Sequence, residues 1–279
     1  MSLLSLRRGV VALEVALTQD KRPTKGIEMN PINVTHILDL FTEVINERSG
    51  KILESFRHNE RAFSRALLPS RMEVKANDQL QAGVALKATP VSLAIHPFVF
   101  RQVCSNGCVF GKSIQSRKLN QVGHSYCLEM NGKVNEVVTG LDVDWWFKDS
   151  VAGCCKEEVF SNTSNTFRLA LQHSFTGPAN VEQALMGSLN LAKFPGAKEY
   201  HAKIMKEYLA QDEPVLFNLI NAVTAVARDL HDAEKKWKLE CVAGDLAWLL
   251  SKQLNAPMAH AKASPVSSAG RLGIGSIGA

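Results

Sequence analysis

A chain of 279 residues, 46% hydrophobic and 21% charged, is long enough to bury a real core, which excludes wholesale disorder and leaves room for one large or two small domains. The formal charge of +5 makes it mildly basic, which permits binding to nucleic acid or an acidic surface without demanding it. Six cysteines in a chain of this size read as reduced thiols rather than disulfide staples. The apolar run at residues 10–17 is broken by Glu14 and lacks a small-residue cleavage site, so it fails both as signal peptide and as membrane span. A cytoplasmic protein with no membrane partner is the expectation.

Taken in order, residues 10–17 alternate Val11, Leu13, Val15 and Leu17, the period of a short strand, before the basic turn KRPTKG. Asn33 or Thr35 can cap a helix reaching about Arg48, with Ile37, Leu38, Phe41, Val44 and Ile45 on one face and Ser49-Gly50 as its stop. A second helix is expected from Lys51 to about Leu68, ending at Pro69. It would carry Arg57, Arg61 and Arg65 four residues apart on one stripe, with Lys51 and His58 beside them and Arg71 just beyond. That stripe is either an ordinary solvated face or a phosphate-contacting one.

From Met72 to about Phe147 the pattern is β-rich. RMEVKA, a turn at Asn77-Asp78, GVALKAT and the stretch 91–111 come first, then strands around 126–130 and 134–139 joined by an Asn131-Gly132 hairpin turn. Within 91–111, Pro97 interrupts the alternation and implies an edge or a bulge, and Ser105-Asn106-Gly107 implies a reversal that sets Cys104 against Cys108. LDVDWWF reads as a half-buried strand with Leu141, Val143 and Trp145 inward, its Asp142 and Asp144 being either the exposed side or a cation-binding pair. After Asn162 the period becomes helical, with boundaries at Gly177-Pro178 and Pro195-Gly196. One helix is expected from Asp212 to Leu230 with Pro214 in its first turn, and another from Trp237 to about Leu254. Residues 255–279, rich in Ala, Ser, Gly and Pro, read as a disordered tail. The division expected is 1–69, a core of 70–254, and that tail. The fold class expected is α+β, a mainly antiparallel sheet covered by N-terminal and C-terminal helices.

NDQLQAG at 77–83, Arg101 with CSNG at 104–107, His124, NAVT at 221–224 and LE-x-x-AG at 239–244 occur in one order. Together they resemble the uncharacterised phage/plasmid-like protein family catalogued as domain of unknown function 932, over roughly residues 70–250. The resemblance implies a phage, plasmid or other mobile-element setting and no particular reaction. Its motif residues here are Arg101, Cys104, Asn106, Gly107, His124, Asn221 and Thr224, and Cys108 departs from an apolar position in the family.

Three functions follow from these residues. The first is a non-catalytic nucleic-acid-binding protein, handling single-stranded DNA in recombination or replication, through Arg57, Arg61, Arg65, Arg71 and Arg101, with Trp145 or Trp146 stacking on bases. The second is an enzyme with Cys104 as nucleophile and His124 as base. The third is an interaction or assembly subunit, including a homo-oligomer, that uses an apolar sheet edge. Cys104, Cys108, His124 and Cys127 are donors of the right type for zinc at irregular spacing, against the plainer reading of small buried thiols, and neither metal nor cofactor is expected. Arg101, with backbone donors from Asn106 and Gly107, could cradle a phosphate; alternatively Arg101 pairs with a carboxylate such as Asp78 and fixes the sheet. No phosphate loop, zinc-protease motif, nucleophile elbow or dinucleotide fingerprint is present in the sequence.

Overall fold

The computed structural model describes residues 30–102, 106–111 and 115–255. The expected strand at 10–17, the tail beyond Asn255 and Cys104 itself lie outside the described residues. Within them the chain is α+β: one eight-stranded antiparallel sheet and seven helices.

Helix α1 (Val34–Glu47) starts where Asn33 accepts from the backbone N–H groups of Thr35 and His36, and it buries Ile37, Phe41, Val44 and Ile45. Ser49 at φ 54° and Gly50 end it, as their residue types suggest.

The expected second helix does not form. Lys51–His58 is strand β1 and Arg61–Lys75 is strand β2, joined by a two-residue turn with both Asn59 (φ 45°) and Glu60 (φ 57°) left-handed. The segment has helix-forming composition and no Gly or Pro at the turn. Pairing of β2 with neighbours on both sides outweighs that local preference. Pro69 ends nothing either: β2 passes straight through it and through the expected 69/70 boundary, with the proline inside a register shift between Leu67 and Arg71. A bulge is where a residue without an N–H costs least.

Strands β3 (Asp78–Thr89) and β4 (Ser92–Arg101) continue the meander, and Asn77 takes the left-handed turn conformation (φ 63°). One half of β4 pairs with β5 (Asn106–Val109); the other half pairs with β6 (Arg117–Val122), which leads through β7 (Ser125–Met130) to β8 (Lys133–Val138). Pro97 is consequently interior to the sheet, opposite Val84, and β5 begins at Asn106, so Asn106 and Gly107 are strand residues rather than the turn. Asn131 (φ 56°) and Gly132 (φ 74°) form the hairpin expected of them.

LDVDWWF is a second correction: Val143–Cys154 is helix α2, with Asp142 as its N-cap accepting from Trp145 N–H and Asp144 in its first turn. Capping by a carboxylate outweighs a three-residue alternation. Helices α3 (Glu157–Gln172), α4 (Pro178–Leu191), α5 (Ala197–Leu209), α6 (Leu216–Arg228) and α7 (Ala233–Asn255) follow. The Gly177-Pro178 and Pro195-Gly196 boundaries hold. Pro214 precedes α6 rather than entering it, since Val215 forms a bridge with Ser174.

Alternation on the strands gives the sheet two different faces. Leu93, Ile95 and Val99 of β4 join the main core with α1, while Phe98, with Phe63, Leu67, Ala85 and Val109, packs under Trp237 of α7. Helix α7 is seated close on β5, because a Cβ on Gly244 would stand 2.2 Å from the Val109 carbonyl oxygen. This second face, partly roofed by α7, carries the candidate site.

Candidate functional site

The arginine stripe divides. Arg57 stands opposite Ala62 in the β1/β2 ladder and donates to Thr35 Oγ1 of α1 (2.7 Å), so it belongs to the main-core side. Arg61 and Arg65, an even number of residues apart on β2, point to the α7 side. Arg61 remains exposed and pairs with Glu234 (2.9 Å). Arg65 is 3% exposed and lies between two carboxylates, donating from Nε to Glu240 (2.9 Å), from Nη2 to the same carboxylate, and from Nη1 to Glu54. Lys236 closes the group on Glu54 (3.0 Å).

A cleft of about 270 Å³ opens over this cluster. Leu53 and Glu54 of β1 form one wall and Thr224 and Arg228 of α6 the other; Lys236 and Glu240 overhang from α7, and Arg65, Phe98 and Phe100 make the floor with Gly107. Gly107 is required there, since a Cβ would fall 2.3 Å from the Phe98 ring. Burial pushes the Glu240 carboxyl up to about 7 against the pull of Arg65. Burial also acts on Glu54, but Arg65 and Lys236 outweigh it and hold that carboxyl below its usual range.

Three pieces of the motif series thus reach one place: Gly107 from β5, Thr224 from α6, and Glu240, the acid of the LE-x-x-AG run, from α7. Asn221 lies one turn before Thr224, is buried, and accepts from the Thr224 hydroxyl through its backbone carbonyl (3.0 Å). Glu54, Glu240 and Lys236 were missed in the sequence, where each is one charge among many. The only available signal was the place of Glu240 in that run.

The remaining expected residues are dispersed. Arg101 does what its plainer reading held: Nε (2.7 Å) and Nη2 (2.6 Å) grip Asp78, itself 2% exposed, and the guanidinium lies 5.0 Å from the Phe217 ring centroid. That contact ties β3 and β4 to α6. Arg71 is exposed on β2 beyond the bulge. Trp146 is buried in the main core and offers no face to a base, whereas Trp145 is 63% exposed on α2. Asp144 pairs with His36 (2.6 Å), which occupies one carboxylate of the supposed cation pair while Asp142 caps the helix.

Cys108 is buried in β5 opposite Val99, Cys127 is in β7, and His124 is in the exposed β6–β7 turn. Among the described residues no group of three His, Cys, Asp or Glu side chains is arranged to hold a metal ion. Cys108, Cys127, Cys154, Cys155 and Cys241 are free thiols, and burial pushes all five up, Cys155 to about 11 and Cys241 to about 12. Such thiols stay protonated and are poor nucleophiles at neutral pH.

The fold and the cleft define an α+β protein whose charged, aromatic-floored site lies between the sheet and its last two helices. Comparison with protein-family models, curated proteins and solved structures finds no match. Among the described residues no helix is long and apolar enough to cross a membrane.

Proposed function

We propose that the protein binds single-stranded nucleic acid without transforming it, in the setting of a phage, plasmid or other mobile element, and that the cleft between β1 and α6/α7 is where it does so. The observation carrying this reading is the cleft's make-up: Phe100 beside Phe98 (centroids 6.4 Å apart) on the floor and the cationic groups of Arg228 and Lys236 at the rim. Sequence-tolerant binding of single strands uses that combination, with rings for the bases and cations for the backbone. Arg65 serves by holding Glu54 and Glu240 in place and does not itself reach a phosphate; Lys236, paired with Glu54 (3.0 Å), and Arg228, paired with Asp229 (3.0 Å), would exchange part of those contacts for the nucleic-acid backbone. The mobile-element setting rests on the motif series.

The test is fluorescence anisotropy of labelled single-stranded and duplex DNA over a salt series. Affinity for the single strand should fall steeply with salt. Phe100→Ala should weaken it roughly 5- to 150-fold, the worth of about 1–3 kcal/mol for one stacked base, and Arg228→Glu should weaken it and flatten the salt slope. Absence of binding at low salt, or equal binding by both variants, would reject the reading.

A further inference from the structure

A second cleft, of about 400 Å³, lies on the same face of the sheet but on the other flank of α7, reached by Trp237, Lys238, Cys241 and Asp245 where the first cleft is reached by Lys236 and Glu240. Its floor is set by strand register. Lys87 of β3, Ala94 of β4 and Lys118 of β6 are direct partners across three adjacent strands. With strands ~4.8 Å apart, the two lysines stem about 10 Å from one another on either side of a methyl group; Lys87 Nζ lies over the Phe63 ring (5.3 Å from its centroid) and Lys118 Nζ leans to Glu129 (3.7 Å), so both must swing inward to meet one anion.

Lys238 supplies a third cation from α7. Each of the three has a carboxylate nearby but not within hydrogen-bond reach: Lys87 is 3.6 Å from Glu234, Lys118 is 3.7 Å from Glu129 and Lys238 is 3.8 Å from Glu234. Glu129 and Asp245 line the cleft and Glu234 stands beside it, three carboxylates to three cations, and each ion pair is long enough for an incoming anion to compete for the ammonium. In the first cleft, by contrast, Arg65 and Lys236 have their donors engaged at close range.

His96, one rank further along β4 on the same face and 2% exposed, also lines this cleft. The Ser116 hydroxyl donates to the Gly111 carbonyl oxygen (2.6 Å), which can only accept, so its oxygen must accept from His96 Nδ1 at 2.7 Å. Nδ1 therefore carries the proton and Nε2 is a bare lone pair, with no hydrogen bond to it from any described residue. Burial, with Lys118 nearby, drives the imidazole pKa down to about 3, so the ring stays neutral. Trp237 stands beside it, ring centroids 5.7 Å apart.

An acceptor at one end, ammonium groups held only by long ion pairs at the other and an aromatic wall between them suit a ligand with an N–H donor on a flat ring and an anionic group a few ångström away. We propose that this cleft binds a nucleoside phosphate, its phosphate held above Ala94 by Lys87, Lys118 and Lys238 and an amino group of its base donating to His96 Nε2. The site is separate from the strand-binding cleft and does not depend on it.

The experiment is titration of the full chain with adenosine monophosphate by calorimetry, beside two other probes, purine riboside monophosphate, which lacks the amino group, and inorganic pyrophosphate. Saturable binding of adenosine monophosphate is expected, about tenfold weaker for the probe without the amino group, and about tenfold weaker again for Lys238→Glu, a substitution on a helix surface. Lys118→Glu provides the same test from the sheet side if the first variant does not fold. Arg228→Glu, across α7, should leave this binding unchanged while impairing single-strand binding, so the two readings fail separately. No saturation at millimolar concentration, equal affinity for all three probes, or full affinity in both lysine variants would overturn the proposal.

Discussion

Replacing Gly244 by alanine tests how the last helix is held. The new Cβ would lie 2.2 Å from the Val109 carbonyl oxygen, 2.8 Å from its carbon and 3.3 Å from the Phe110 Cα, all backbone atoms that no rotamer change can move. Relief requires α7 to withdraw by about 1 Å from β5, since ordinary contact begins near 3.4 Å. That shift would loosen Trp237 on Phe63 and Glu240 on Arg65. Overpacking costs about 1–3 kcal/mol, a 2.2 Å approach to a backbone oxygen belongs at the upper part of that range, about 2–3 kcal/mol, and the helix gains about 1 kcal/mol from exchanging glycine for alanine, so a net loss of about 1–2 kcal/mol is expected. In a chain of this size each kcal/mol moves the midpoint by about 2–4 °C, giving a fall of about 2–8 °C by scanning calorimetry. Gly187 in α4 is the control: it is exposed with nothing within 4 Å of its Cβ position, so Gly187→Ala should raise the midpoint by a few degrees through propensity alone. A Gly244→Ala protein melting at or above wild type would refute the seating of α7 on β5, and with it the shape of both clefts.

Three further outcomes follow from the same geometry. The Glu240 carboxyl holds its proton up to about pH 7 when folded but only to about 4.5 when unfolded, so its contribution to stability is complete below pH 4.5 and is lost as pH rises through 7. At about 1.4 kcal/mol per unit the loss is on the order of 3 kcal/mol; urea unfolding at pH 5 and pH 8 should show wild type losing more stability than Glu240→Gln, and parallel behaviour would sink the argument. Asp78→Ala leaves the Arg101 guanidinium largely buried without its bidentate partner and should cost about 3–5 kcal/mol of unfolding free energy, measured by denaturant titration; a cost below about 1 kcal/mol would show that the pair does not fasten β3 to β4. Asn33→Ala removes the oxygen that accepts from Thr35 and His36 and should cost about 1 kcal/mol, read as a lower unfolding midpoint, whereas an unchanged midpoint would argue against the cap.

The parts of the fold legible in the sequence are those whose signals are local. Asn33 with Ser49-Gly50 bounds α1, Asn131-Gly132 makes a hairpin, and Gly177-Pro178 and Pro195-Gly196 separate helices, because each rests on backbone conformations that a few residue types adopt at low cost. The errors fall where a local preference met a distant partner. Residues 51–68 have helix-forming composition and a turn without glycine, yet pairing with β3 makes them strands; that one error produced the arginine stripe. At LDVDWWF the alternation suggests a strand, whereas the Asp142 carboxylate caps a helix that packs Trp146, Phe147 and Val151 into the core.

The same division holds for the candidate site. Sequence singled out Arg65, Gly107 and Thr224, and offered the Arg101–Asp78 pair as one of two readings, from residue type and order. It gave no means of knowing that Arg65 would be buried between Glu54 and Glu240, partners 11 and 175 positions away, rather than facing solvent with Arg57. Strand register also decided that Lys87, Ala94 and Lys118 form one rank, and the proton on Ser116 decided which nitrogen of His96 is left to accept. Composition and short-range stereochemistry determined an α+β chain with its turns and caps, because those energies are settled within a few residues. Which charges are paired, which face the solvent and where the clefts open were decided only by tertiary structure, because burial and charge pairing depend on residues that the sequence places far apart.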